Sequence, residues 1–311
     1  MFNKELKERY IIEKENGTVL PNNYLPRCFK TTEQFECDLN KDISCFTVYE
    51  IIDMYKVMNL SSFESLIMLN SHLSLYTQWC LQQNLIPDCQ DHFSEITQEM
   101  IMKCINTVVF YKSIIDKDTL YSWLRQLVNP SDAFIMISLF EGIKGKEFCE
   151  IYNLRLSDFD LEKNKVKLCT GRVISVSDKL IEIAKESAIK YDYTAVTQNE
   201  IKTIPFWEDE YSDLIVKNYP NCSTDVSSFQ KGRRIYNKIT RNFKMLGIDQ
   251  WMKPNSLAES GKIDFVKTRA KELGITPYNY LYSYHVNELI EKYDCSINIL
   301  FYKKYKDILE K

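Results

Sequence analysis

The chain has few of the residues that build metal centres. Its three histidines, His72, His92 and His285, stand far apart in the sequence, and none of its ten cysteines belongs to a Cys-x-x-Cys pair. Structural zinc sites need Cys and His ligands at short spacing. We therefore expect no zinc site and no cofactor. In a reducing compartment most of the cysteines are expected to be small buried hydrophobic residues.

Glycine and proline are also scarce, at eight each in 311 residues, and they are scattered singly. This distribution excludes low-complexity linkers, a collagen-like repeat and an obvious internal period. No apolar stretch approaches the roughly 18 residues that a membrane span needs. Residues 1–15 alternate charges where a signal peptide would have its apolar core. We expect a folded, cytoplasmic protein with no membrane partner.

The net charge is small but unevenly distributed. It is −3 for the whole chain, whereas residues 1–225 carry −10 and residues 226–311 carry +7. The asymmetry is sharpest in residues 226–248, which contain no Asp or Glu. The basic residues of this stretch are Lys231, Arg233, Arg234, Lys238, Arg241 and Lys244. Such a stretch favours a nucleic-acid site when a fold presents it, although most basic stripes are only solvated surface.

Apolar periodicity predicts that the first half of the chain is nearly all helical. Residues 61–84 have apolar side chains at helical spacing, and Ser61 precedes Glu64 by three residues, as in a capping box. The other helices predicted in this half lie at 43–58, 96–111 and 113–143, the last with a break at Asn129-Pro130.

Strand signals first appear in the second half of the chain. Residues 165–168 and 173–176 alternate and are rich in β-branched side chains, with the turn residues Thr170-Gly171 between them. This pattern predicts a hairpin, and a helix is predicted after it at 178–190. The expected fold class is therefore mainly α with a small β-sheet (α+β).

Residues 227–246 are predicted to form an amphipathic helix with one packing face and one positive face. On a helical wheel the apolar side chains share one side and the basic side chains share the opposite side. The apolar set is Ile235, Ile239, Phe243 and Leu246, and the basic set is Lys231, Arg234, Lys238 and Arg241.

Gly145 to Asp160, GKEFCEIYNLRLSDFD, resembles a motif of the tyrosine recombinase (phage integrase) family, Gly-x-Arg-x-x-Glu-Leu-x-x-Leu-x-x-x-Asp-Ile-Asp. The positions in register without a gap are Gly145, Glu150, Ile151, Leu154, Asp158, Phe159 and Asp160. Pro254 to Ala258 is similar to the family's Pro-His-x-Leu-Arg, and Tyr293 to its nucleophilic tyrosine. The resemblance implies a helical core-binding (SAM-like) domain at 1–114 and a mixed, catalytic-like domain at 115–311.

The resemblance also implies that the catalytic residues are replaced. The family clamps the scissile phosphate with two arginines and a histidine or lysine, because the transition state needs converging positive charge. The first arginine position is Glu147, the histidine position is Asn255, and the second arginine position is Ala258. We refer to Glu147, Asn255, Ala258 and Tyr293 as the motif positions. They are expected to be vestigial, so that the chain is not an enzyme.

DNA binding does not require those residues, and the family's fold closes around duplex DNA. Relatives in SPβ-type phages use this architecture as a lysogeny repressor. The resemblance thus implies a sequence-specific repressor bound to double-stranded operator DNA, in the cytoplasm of a bacterial host and on the nucleoid when bound. An antirepressor protein and a homo-oligomer on DNA are expected partners.

Further candidate DNA contacts are Lys262, Lys267 and Arg269. They follow a predicted helix start at Ser260-Gly261, whose free backbone amides could bind a phosphate.

Two other functions remain open. An active recombinase would have to use Lys144, which becomes available when the register slides by three residues, a hairpin lysine (Lys165 or Lys167), and Tyr293. A helical protein-interaction module would agree with the acidic first 225 residues. The amphipathic tail at 297–311 allows either exchange between subunits or docking on its own domain.

Overall fold

The computed structural model describes residues 2–15, 24–60, 62–87, 89–196, 200–206, 212–217, 227–248, 251–296 and 299–310. The chain divides into two compact units, Met1–Phe110 (unit 1) and Tyr111–Lys311 (unit 2). The predicted boundary, after residue 114, lies four residues further along the chain. In these described ranges, no helix is both long and apolar enough to cross a membrane.

Unit 1 is built from helices. They are α1 (Lys4–Glu15), α2 (Tyr24–Leu39), α3 (Val48–Val57), α4 (Phe63–Gln82), α5 (Gln98–Lys103) and α6 (Thr107–Lys112). Residues of α4 at helical spacing, Leu66, Leu73 and Tyr76, are fully buried in the core of this unit. Their period is the signal that predicted a helix at 61–84.

The caps in unit 1 differ from the predicted ones. The N-cap of α4 is Ser62, whose hydroxyl accepts a hydrogen bond from Ser65 N at 3.2 Å, whereas the box was predicted to start at Ser61. Ser61 itself lies outside the described residues. A capping box forms instead at the start of α3, where Thr47 and Glu50 bond each other's backbone amides. Each satisfies a donor that the first turn leaves without a partner.

The single helix predicted at 96–111 is two helices, α5 and α6. Asn106 lies in the break, where its amide donates to Leu60 O at 2.9 Å and its side-chain oxygen accepts from Val109 N at 3.0 Å. Asn is a favoured N-cap residue because it can satisfy such a donor. The apolar periodicity continues across the break, which is why the pattern alone predicted one helix.

Unit 2 combines helices with two small sheets. Its helices are α7 (Lys117–Leu124), α8 (Pro130–Phe140), α9 (Cys149–Tyr152), α10 (Asp178–Ala188), α11 (Ser228–Met245), α12 (Pro254–Glu272), α13 (Pro277–Leu281), α14 (Val286–Tyr293) and α15 (Ile299–Leu309). Helix α8 lies at the centre of the core of unit 2, because every residue from Ser131 to Phe140 is buried. The helix break predicted at Asn129-Pro130 is confirmed. So is the fold class, mainly α with small β-sheets.

The two sheets are both antiparallel. The first has the order β1 (Phe159–Asp160), β2 (Lys165–Lys167), β3 (Val173–Ser175), and the buried residues Val166 and Ile174 pair across it. The predicted hairpin is therefore confirmed. A second hairpin, β4 (Asp192–Val196) with β5 (Ile201–Pro205), was not predicted. Asn129 holds it through two hydrogen bonds to the backbone of Thr194, at 2.8 and 2.9 Å.

Helices α8 and α12 touch at Gly261, where a Cβ atom would lie 1.7 Å from Phe140 O. Only glycine allows this approach. Ser260 and Gly261 lie in the middle of α12. The helix start predicted at these residues is therefore wrong, and so is the phosphate-binding role predicted for their backbone amides. The Ser260 hydroxyl instead donates to Ser256 O at 2.7 Å and accepts from Ile115 N at 3.1 Å.

Candidate functional site

All four motif positions lie in unit 2, and Glu147 occupies a tight turn immediately before α9. Glu147 and Phe148 have φ values of 53° and 61°, in the left-handed region that costs non-glycine residues about 1–3 kcal/mol each. The turn is packed against α11, since a Cβ atom on Gly232 would lie 2.4 Å from Glu147 O. The backbone at the first arginine position is therefore held by the basic helix.

Replacing Gly232 with alanine is expected to destabilise unit 2 by about 1–3 kcal/mol, because the added methyl group forces α11 and the Glu147 turn apart. This value is a net loss, because the cost of forcing the two segments apart exceeds the gain of about 1 kcal/mol in helix propensity that alanine brings. Urea unfolding followed by circular dichroism measures the change. Asn237→Ala, at an exposed position of the same helix, is the matched control and should not lower stability, because alanine has the higher helix propensity. A stabilised Gly232→Ala variant would contradict the close contact.

The histidine and second arginine positions, Asn255 and Ala258, lie in the first turns of α12. Lys144 Nζ donates a hydrogen bond to Asn255 Oδ1 at 3.0 Å. The structure therefore brings together Lys144, which the gapless register leaves out of the motif, and one of the motif positions. Burial lowers the pKa of Lys144 below its ordinary value, and the neighbouring charge of Lys262 lowers it further.

Tyr293, at the nucleophile position, is the last residue of α14 and is partly buried. Its hydroxyl donates a hydrogen bond to Phe140 O at 2.8 Å, and its ring meets Phe265 edge to face at 6.1 Å. Burial of the hydroxyl raises the pKa of Tyr293 well above its ordinary value, and the carboxylate of Glu141 adds to this effect. In this arrangement the phenol ties α14 to α8.

The Tyr293→Phe variant is expected to lose about 0.5–1.5 kcal/mol of stability, because it removes one hydrogen bond while keeping the ring. Thermal or urea unfolding measures this loss. Tyr284→Phe is the matched control: its side chain is mostly exposed, so it should unfold like the parent chain. Equal stabilities of Tyr293→Phe and the parent would contradict a structural role for the hydroxyl.

An ion pair between Glu150 and Arg172 lies beside these positions. Glu150 is fully buried, and Arg172 Nη2 and Nε donate to its carboxylate at 2.6 and 3.0 Å. Lys144 N donates to the same carboxylate at 2.9 Å. Burial alone would raise the pKa of Glu150, but the hydrogen bonds from Arg172, Thr170 and Lys144 N hold it below its ordinary value.

The guanidinium of Arg172 also donates hydrogen bonds to backbone carbonyl groups at the C-terminal end of α14. Nη1 donates to Lys292 O at 2.9 Å and to Glu291 O at 3.0 Å, and Nη2 donates to Gly142 O at 3.1 Å. Sequence reasoning considered Lys165 and Lys167 in the hairpin and missed Arg172. Both lysines are exposed on β2, on either side of the buried Val166. The position of Arg172, directly after the turn residues Thr170-Gly171, was the available signal.

Helix α11 confirms the predicted amphipathic helix, with Ile235, Ile239 and Phe243 buried. The basic side chains differ in exposure: Arg233, Arg241 and Lys244 are exposed, Lys231 and Arg234 are half-buried, and Lys238 is buried. Two of them contact the ring of Tyr193, with Lys238 Nζ 5.3 Å and Arg241 Cζ 5.2 Å from its centroid. The positive face is therefore partly open and partly built into the unit.

The second group of candidate contacts, on α12, is engaged within unit 2. Lys262 Nζ lies 2.9 Å from Glu259, and Lys267 Nζ donates to Ile308 O at 3.1 Å. Arg269 pairs with Glu288 at 2.7 Å and also with Glu272, and these carboxylates raise its pKa. The three residues stabilise the fold around α12, and their charges are less available to a ligand than those of α11.

The tail helix α15 docks on its own unit. Its contacts include Tyr305 with Glu259 at 2.7 Å and Asp307 with Tyr111 at 2.7 Å.

Of the nine cysteines among the described residues, Cys28, Cys80, Cys89 and Cys104 are buried and the others are not, so the expectation of burial holds for fewer than half. The described ranges contain no group of three or more His, Cys, Asp or Glu side chains that could hold a metal ion.

Known proteins resemble both units of this chain. The family description "MrpR, C-terminal catalytic domain" matches residues 114–310, and "MrpR, N-terminal core-binding domain" matches residues 1–82. The chain belongs to the MrpR family. The pairing of a core-binding with a catalytic domain in MrpR proteins agrees with the recombinase-like organisation that the sequence motifs implied.

One curated relative is the SPbeta prophage-derived uncharacterized protein YopR of Bacillus subtilis (strain 168). It is 25% identical over 285 residues, which cover 88% of this chain and 84% of the relative. Among solved structures, the XerA recombinase aligns with 98% of both chains at 12% identity and a TM-score of 0.37.

Proposed function

We propose that this MrpR-family chain is a sequence-specific repressor that binds double-stranded operator DNA without cleaving it. The observation that carries the proposal is the basic face of α11, in a stretch of residues 226–248 that contains no acidic side chain. The exposed basic residues of α11 are Arg233, Arg241 and Lys244, and they can contact phosphates, which set affinity and register. Specificity would come from base contacts in the grooves.

The proposal that catalysis is lost rests on the motif positions. A carboxylate at Glu147 would repel the scissile phosphate, and neither Asn255 nor Ala258 supplies a cation. Arg172, the guanidinium nearest in sequence to the hairpin turn, already neutralises Glu150. Loss of such electrostatic stabilisation costs an enzyme orders of magnitude in rate. Binding, in contrast, requires only the surface.

The biological setting is proposed from the relative. YopR is described as SPbeta prophage-derived, which favours a role in the control of phage genes, here as a lysogeny repressor in the cytoplasm. Release from DNA would then require an antirepressor protein or another signal. Assembly on DNA as a homo-oligomer would have to free α15 from its own unit or use another surface.

Equilibrium competition tests the binding claim. At about 150 mM salt, where nonspecific phosphate binding is weakened, at least one duplex sequence should bind tenfold or more tightly than random duplex. Binding that never exceeds the random duplex by that factor would refute a sequence-specific repressor.

An active recombinase is the second candidate, and the contact between Lys144 and Asn255 favours it because it brings a cation to the histidine position. The test is a nicked suicide substrate that traps a covalent protein–DNA adduct. Our proposal expects no adduct with the parent chain. An adduct that Tyr293→Phe abolishes would establish the recombinase instead.

A further inference from the structure

A half-enclosed cavity of about 700 Å³ lies within unit 2, between α11 and the segments around Asn153 and Leu214. Its lining contains six basic side chains, and no acidic one among the residues that the structure describes. The six are Arg155, Lys217, Lys231, Arg234, Lys238 and Arg241. This volume lies within the range typical of small-molecule sites, about 300–1,000 Å³.

The positive charges reach from the rim to the floor of the cavity. The side chains of Arg155 and Arg241 are 55% and 44% exposed, whereas Lys217 and Lys238 are only 2% and 8% exposed. Lys217 is anchored at the floor, where Nζ donates to Ser187 O at 3.2 Å and also to Ala188 O, at the C-terminal end of α10. A duplex on the surface of the unit would therefore meet Arg155 and Arg241 at the rim rather than the two buried lysines.

Two carboxylates in the described ranges neutralise part of this charge. Asp213 pairs with Arg155 at 2.8 Å, and Asp132 lies 3.8 Å from Arg241. In the described ranges Arg234 has no carboxylate within 4 Å and no hydrogen-bond partner. Clustered like charges in a partly desolvated cavity repel one another, and an anion would relieve the repulsion.

The remaining lining is apolar or aromatic. It includes Tyr152, Leu214, Val216 and Ile235. Lys231 Nζ lies 5.5 Å from the centroid of the Tyr152 ring, so a cation and an aromatic face are adjacent. A ligand that satisfies both parts of the wall has an anionic group, which guanidinium groups bind through paired donors, and a flat or apolar body.

We infer that this cavity binds a small phosphorylated compound of about mononucleotide size, with its phosphates on the basic side chains and its body against Tyr152. Arg234 supplies donors that no residue in the described part of the chain engages, and Lys231 holds the junction between phosphate and body. The inference does not depend on DNA binding by the chain.

Calorimetric titration of the full chain with two probes, metal-free ATP and inorganic triphosphate, tests this site. We expect saturable binding of ATP with a dissociation constant of about 1 mM or lower. Arg234→Gln should weaken both probes about tenfold or more, because it removes a charged hydrogen-bonding group. Arg233→Gln is the matched control: Arg233 is the exposed neighbour outside the cavity, and its loss should change little. Tyr152→Ala should weaken ATP more than triphosphate.

Two results would overturn the inference. One is the absence of saturable binding for both probes. The other is an equal loss with Arg233→Gln and Arg234→Gln, which would indicate nonspecific attraction to a positive surface. If both probes fail while DNA affinity still depends on Arg234, the cavity is only part of a DNA interface, and the proposed function stands without this site.

Discussion

The Arg172→Ala variant is expected to destabilise unit 2 by about 3–5 kcal/mol, because it leaves the buried carboxylate of Glu150 without its counter-ion. It also removes the donors to Lys292 O and Gly142 O, so the end of α14 loses its tie to the hairpin. Urea unfolding followed by circular dichroism, fitted separately for the two units, measures the loss.

Two variants control this experiment. Lys167→Ala, an exposed position on the same hairpin, should stay within about 0.5 kcal/mol of the parent chain. Glu150→Gln added to Arg172→Ala should recover part of the loss, since no uncompensated charge then remains buried. A loss below about 1 kcal/mol for Arg172→Ala would contradict the role assigned to the pair.

The same pair predicts a pH dependence. The pKa of Glu150 is lowered in the folded chain, so its contribution to stability is fully present above the unfolded value of about 4.3. That contribution is lost as the pH falls through the lower, folded pKa. The difference in stability between the parent chain and Arg172→Ala should therefore be largest near neutral pH and narrow as the pH falls, because burial raises the pKa of Glu150 once the guanidinium is gone and the variant then binds a proton before the parent does.

Charge reversal on α11, Arg233→Glu with Arg234→Glu, is expected to weaken DNA binding about 100-fold at about 150 mM salt. Each change removes a cation that can neutralise a phosphate and adds a repelling charge. The slope of log affinity against log salt should also become less steep, by about 0.9 for each phosphate that the variant no longer neutralises. Fluorescence anisotropy with a labelled duplex measures both quantities.

The matched control reverses two charges elsewhere in unit 2, Lys179→Glu with Lys185→Glu on α10. This double variant carries the same net charge as the α11 double variant, so the two differ only in where the charge has been changed. DNA affinity that falls equally in both double variants would indicate a nonspecific effect of net charge and would remove α11 from the interface.

The sequence predicted the elements whose signals are local. Periodic apolar residues located the helices at 61–84 and 227–246, and β-branched alternation located the first hairpin. Elements that depend on distant contacts were missed. The second hairpin is held by Asn129, 65 residues away from Thr194, and the break at Asn106 is tied to Leu60.

The same distinction applies to the candidate site. The basic face of α11 could be predicted because its basic side chains recur at helical spacing within one continuous segment. The role of Arg172 could not, because its partners Glu150 and Lys292 lie 22 and 120 residues away. Nor could the pattern show that Ser260-Gly261 lies within a helix, since Gly261 is required there by the approach of Phe140. The cavity combines segments around 153, 214 and 234, which no local motif connects.

The most direct test of the central claim is selection of genomic DNA fragments from the source organism by the purified chain at about 150 mM salt. A repressor predicts enrichment of several promoter-proximal copies of one short motif, without strand breaks. A single enriched site that carries strand breaks would contradict the account in favour of a recombinase. The absence of any enrichment would contradict DNA recognition itself and favour a protein partner.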